Sequence, residues 1–131
     1  MPEINTNEMV TGDVVTYLVE AAEKYHPECT DAASRLDDCR AFTVRDGGEL
    51  MLAAAYQIHE CNNGRELTVV ALNGSKAKFV KWLPLLKDAF VELARLEDCD
   101  RILVSVDRPA MERALSALDF GPVATLMRFM V

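Results

Sequence analysis

No stretch of this sequence is apolar for long enough to cross a bilayer, and its start, Met1-Pro2-Glu3-Ile4-Asn5, has neither the basic nor the apolar part of a secretion signal. A cytoplasmic protein is expected. There is no Cys-x-x-Cys pair: Cys29, Cys39, Cys61 and Cys99 stand far apart, which argues against a zinc knuckle or a dithiol motif and leaves reduced, mostly buried thiols with no metal expected. Basic residues are outnumbered, 14 Lys and Arg against 21 Asp and Glu, for a net charge of −7. The chain therefore lacks the basic face that normally supplies most nucleic-acid affinity. A cationic partner, such as an amine substrate or a basic protein, suits it better. Internal repeats and low-complexity segments are also missing. What is present is 131 residues, half of them hydrophobic, enough for the core of a single domain spanning residues 1–131.

Residues 65–96 organise the rest. Arg65-Glu66-Leu67-Thr68-Val69-Val70-Ala71-Leu72 is rich in β-branched and apolar residues and reads as a strand, and Asn73-Gly74-Ser75-Lys76 interrupts it with turn formers. From Lys78 the period changes, because Phe79, Leu83, Leu86, Phe90 and Leu93 form the apolar stripe of a helix over 78–96. Pro84 falls inside that pattern and is best accommodated if the regular helix starts near Leu83. A strand-to-helix junction gathers backbone N–H groups and the positive end of the helix dipole in one small volume, a setting that favours phosphate. Lys76, Lys78 and Lys81 add to the field, although most such loops bind nothing.

Around this unit the remaining elements fall in order. Ile4 marks a short first strand, and Val14, Leu18, Ala21 and Tyr25 line a helix over 13–25 that ends at His26-Pro27. Thr30-Asp31 caps a short helix through Ala33, Leu36 and Cys39. Residues 41–45 form a strand, Asp46-Gly47-Gly48 a hairpin turn, and 49–59 a return strand apolar on both faces, hence central. Cys61-Asn62-Asn63-Gly64 turns the chain into the organising strand. After the long helix, residues 101–106 form a buried strand whose crossover connection implies parallel pairing. Asp107 and Pro109 start a helix with Met111, Ala114, Leu115 and Leu118 inward, Gly121-Pro122 stops it, and 123–131 reads as a final strand.

This order predicts an α/β (α+β) fold with a mixed, mostly antiparallel sheet and helices on both faces. It resembles the GNAT superfamily of acyl-CoA-dependent N-acetyltransferases over about residues 10–131. The most specific part is Arg101-Ile102-Leu103-Val104-Ser105-Val106 followed by Ala114-Leu115-Ser116-Ala117-Leu118-Asp119-Phe120, similar to the family's strand and helix ending in Leu-Gly-Phe. The resemblance implies acetyl-CoA as cofactor, with its pyrophosphate at Asn73, Gly74, Ser75, Lys76, Ala77 and Lys78, and Arg108 nearby. It also marks departures. Leu72 and Ser75 stand at two specified positions of the family's cradle, Leu115 where a tyrosine acid is common, and Asp119 at the Gly of Leu-Gly-Phe. With residues 72–81, these departures are also similar to a small GNAT-like group of short-tailed bacteriophages. One strand fewer than the family usual would leave a sheet edge for a homodimer partner.

Transfer to an amine needs a deprotonated nucleophile, a donor for the developing oxyanion and a path for the ammonium proton. Backbone N–H groups of the organising strand are the expected donor, and Glu66 and His59 the candidate bases. Each has a plain alternative, a strand-start charge and a hairpin-side surface residue. Tyr56 and Tyr17 are candidate acids or amphipathic core residues. The six methionines read as core filler and Trp82 as packing or interface. The functional expectation is an N-acetyltransferase acting on an amine-bearing small molecule or protein. The other reading is a protein-binding module on the same fold.

Overall fold

Strands that are apolar on both faces need cover on both, and the architecture supplies it. The computed structural model describes residues 3–10, 12–25, 36, 38–74, 79–104, 109–123 and 129. Among them, strands β1 (Glu3–Met9), β2 (Arg40–Asp46), β3 (Glu49–Cys61), β4 (Gly64–Gly74) and β5 (Arg101–Val104) form one sheet in sequence order. The first four pair antiparallel, and β5 joins β4 in parallel. The predicted mixed, mostly antiparallel sheet is therefore present.

Helix α1 (Gly12–Tyr25) covers one face of the sheet. Its Val14 and Leu18 pack with Leu36 and Cys39 over a bed of small side chains, Ala41, Ala53 and Ala55. Helices α2 (Phe79–Leu96) and α3 (Pro109–Ser116) cover the other. There Leu83, Leu86, Phe90, Met111 and Leu115 meet Phe42, Val44, Leu52, Tyr56, Leu67 and Val69. The sheet is thus sandwiched, as the doubly apolar run of β3 requires: Met51 to Tyr56 are all buried.

Two boundaries differ from the sequence reading, and the last two residues of the strand expected over 101–106 lie outside the described residues. Strand β4 runs past Leu72 to Gly74, because long β3 still offers Ala53 and Leu52 as partners for Asn73 and Gly74, and ladder pairing outweighs turn propensity. Helix α2 begins at Phe79 rather than near Leu83. Pro84 lies on the exposed side of the helix and forfeits only the bond its N–H would have given the Val80 carbonyl. Strand β5 is described only through Val104. The short helix expected over 30–39 and the final strand over 123–131 lie largely outside the described residues.

Candidate functional site

Strand β4 is irregular at its centre. Ala71 pairs with Ala55 and Val69 with Tyr56, so Val70 has no opposite number on β3: it is a β-bulge. Side-chain placement agrees, since Leu67 and Val69 belong to the α2 face while Val70 and Ala71, though consecutive, both pack toward α1. On the other side of β4, parallel pairing with β5 is described as far as Val69 opposite Val104.

A row of polar residues leads to this point. By strand alternation Glu66, Thr68 and Val70 share the α1 face. The Thr68 hydroxyl donates to Glu66 Oε1 at 3.1 Å, and Arg101 Nε donates to Glu66 Oε2 at 3.0 Å. Arg101 is Glu66's direct partner across the β4–β5 ladder, and its Nη2 also donates to Asn63 at 3.0 Å. His59, exposed, lies directly opposite Glu66 on β3. The two candidate bases therefore sit side by side on one face. From Glu66 to Val70 is four strand residues, about 13 Å, so a proton passing between them would need a water path.

Tyr56 lies elsewhere. It is on the α2 face, 4 % exposed, packed edge-on against Phe90 with ring centroids 5.5 Å apart. Its hydroxyl donates to the Thr6 carbonyl at 2.7 Å, in the stretch where β1 itself slips register between Asn5 and Glu8. Burial pushes its pKa upward. The expectation of an acid at Tyr56 meets a residue whose proton bridges two strands inside the sheet. Tyr17 sits on α1 with its hydroxyl 3.3 Å from the Met51 carbonyl, and burial followed by the charges of Glu49 and Glu20 raises its pKa as well. Leu115 is buried in the α2 face and offers no acid.

Of the expected cofactor residues, Asn73 and Gly74 form the last step of β4, and Asn73 Nδ2 donates to the Tyr17 backbone carbonyl at 2.8 Å. Ser75, Lys76, Ala77, Lys78 and Arg108 lie outside the described residues. Lys81, exposed in the first turn of α2, holds its ammonium 5.0 Å from the Trp82 ring centroid. No group of three metal-ligating side chains occurs among the described residues, and no described helix is long and apolar enough to cross a membrane.

Sequence reasoning missed Val70, Thr68 and Arg101. The Glu66/Thr68 pairing was within reach, because residues two apart on a strand share a face. The unbroken apolar run Val69-Val70-Ala71-Leu72 carried a trace of the bulge, as it violates strict alternation. Nothing local announced Arg101, which reaches Glu66 only through the parallel register.

Neither a protein-family model nor a curated protein sequence matches the chain. Solved structures do. A predicted acetyltransferase with acetyl-CoA from Clostridium acetobutylicum superposes with a TM-score of 0.77 at 10% identity, covering 99% of this chain and 96% of that one. The ribosomal-protein-alanine N-acetyltransferase of Brucella melitensis biovar Abortus 2308 gives 0.75 at 16% identity, over 98% and 99% of the two chains. AAC(6')-Iy, in complex with the bisubstrate analogue CoA-S-monomethyl-acetylneamine, gives 0.69 at 12% identity over 100% and 98%. At such identities the likeness speaks to architecture, and it is nearly end to end. The chain has the fold of the GNAT acetyltransferases.

Proposed function

We propose that this protein is an acyl-CoA-dependent N-acetyltransferase that transfers an acetyl group from acetyl-CoA to an amine. The observation that carries the reading is the β-bulge at Val70, which has no partner on β3. It lies on a fold whose solved neighbours include one with acetyl-CoA and one with a CoA-linked analogue.

In this reading the backbone N–H groups around Val70 donate to the thioester oxygen as negative charge develops on it during attack by the neutral amine. Because they are fixed by the sheet on either side, they need no reorganisation at that moment. Glu66 takes the proton that the amine nitrogen sheds, through water along the Thr68 side of β4, with Arg101 and Thr68 fixing its carboxylate. His59, beside it, widens the polar surface on which an amine would approach. The diphosphate would lie at the start of α2, against the N–H groups of residues 74–77 with Lys76, Lys78 and Arg108 supplying charge. Acetyl-CoA, when bound, supplies the activated acyl group. The departing thiolate would take its proton from solvent, since Leu115 and Tyr56 face the core.

The test is thiol release from acetyl-CoA, followed with a panel containing an aminoglycoside, a polyamine and an alanine-terminated peptide. At least one amine should raise release above the amine-free rate, and Glu66→Gln should lower that rate by about 10²-fold. Release that no amine accelerates would overturn the proposal.

A further inference from the structure

Helix α1 forms the wall behind the bulge, yet little in its packing fixes its position along the sheet. The strand bed beneath it is built mostly of Ala41, Ala53, Ala55 and Ala71, with Leu50 and Val70 partly buried beside them and Leu36 and Cys39 packed against the helix, and side chains as small as alanine raise no ridges for the helix to lock between. Polar ties add to its placement. At the N-terminal end Arg45 of β2 grips Asp13 at 2.6 Å and Glu8 of β1 at 3.2 Å, and its guanidinium draws the Asp13 carboxyl below its ordinary pKa. In mid-helix there are two ties: the Tyr17 hydroxyl donates to the Met51 carbonyl at 3.3 Å, and Asn73 Nδ2 donates to the Tyr17 carbonyl at 2.8 Å. A backbone carbonyl has two lone pairs, so this one can take the amide in addition to its helical partner.

We propose that Asn73 is a positioning residue, a latch that joins helix α1 to the end of β4 and thereby couples the wall behind Val70 to acetyl-CoA binding. The coupling rests on the acetyltransferase reading; the latch itself does not. Asn73 acts through Val70 and Ala71, which pack against α1. Its side-chain amide is engaged with the helix, and so it serves the site from behind rather than by touching the ligand.

Hydrogen–deuterium exchange over residues 12–25 tests this, with the amides of β2–β4 as the internal measure of an intact fold. Wild type should exchange slowest. Asn73→Ala should exchange about 5–10-fold faster, the loss of one ordinary hydrogen bond. Asn73→Asp should be at least as fast as Asn73→Ala, because an isosteric carboxylate meets the carbonyl without a donor. Asn73→Gln keeps the amide and should return exchange toward wild type. Saturating acetyl-CoA should slow α1 exchange in wild type but not in Asn73→Asp. A spacer role would give the opposite order, with Asp matching wild type and only Ala faster. That order, or equal rates in all four proteins, overturns the latch; protection of α1 by acetyl-CoA in Asn73→Asp overturns the coupling. If wild type does not bind acetyl-CoA at millimolar concentration, the acetyltransferase reading and the coupling fail together, while the rates without cofactor still decide the latch.

Discussion

Glu66 and Arg101 are direct partners across the parallel β4–β5 ladder, and their side chains close the same gap at 3.0 Å. The carboxylate is held from a second side by Thr68 at 3.1 Å. If Glu66 receives the amine proton, its orientation matters as much as its presence. Turnover should then fall most in Glu66→Gln, less in Arg101→Gln and least in Thr68→Val, with the loss in kcat rather than in the KM for acetyl-CoA. Steady-state kinetics on the three variants check the order.

Buried Tyr56 and half-buried Tyr17 predict alkaline sensitivity. Both Tyr17 and Tyr56 have pKa values raised above the ordinary 10.0, chiefly by burial, so the fold prefers their protonated forms. Their contribution is fully present below pH 10 and is lost as pH rises through the folded values. Urea unfolding at stepwise higher pH should show wild type losing stability above about pH 10, and the Tyr17→Phe, Tyr56→Phe double variant losing less.

At neutral pH the same substitution at Tyr56 should cost something. Tyr56→Phe removes the bond to Thr6 that spans from β3 to edge strand β1. A loss of about 1 kcal/mol is expected in denaturant unfolding, the net value of one hydrogen bond. Faster exchange in β1 than in β3 would localise it.

Two helix ends carry aspartate in left-handed backbone. Asp119, at φ 70°, follows α3 while the Phe120 N–H bonds the Leu115 carbonyl, and Asp98, at φ 56°, follows α2 while the Cys99 N–H bonds the Ala94 carbonyl. Glycine adopts this conformation without the steric cost of a Cβ. Asp119→Gly and Asp98→Gly should each stabilise the protein by about 0.5–1 kcal/mol, read as a rise in thermal midpoint.

What the sequence disclosed follows from which interactions are local. Helices α1 and α2 were legible because Val14 and Leu18, or Leu83, Leu86 and Phe90, repeat at helical spacing and bury as a stripe. β3 was legible because both of its faces are apolar. The end of β4 was not, since Asn73 and Gly74 read as turn formers until Ala53 and Leu52 are seen opposite them. Tyr56 shows the same limit: an amphipathic residue on a central strand suits an acid or a strut equally, and only the distant Thr6 carbonyl distinguishes them. Asn73 was expected beside a diphosphate, yet its side chain turns to α1, a tertiary hydrogen bond between residues 56 apart in the chain.

The central claim is that the protein binds an acyl-CoA, and calorimetric titration of acetyl-CoA into the wild-type protein tests it most directly. The expected result is saturable binding that weakens in a Lys76→Ala, Lys78→Ala double variant by about 1.5–3 kcal/mol for each charge-assisted hydrogen bond removed. No heat and no thermal shift at millimolar acetyl-CoA would contradict it.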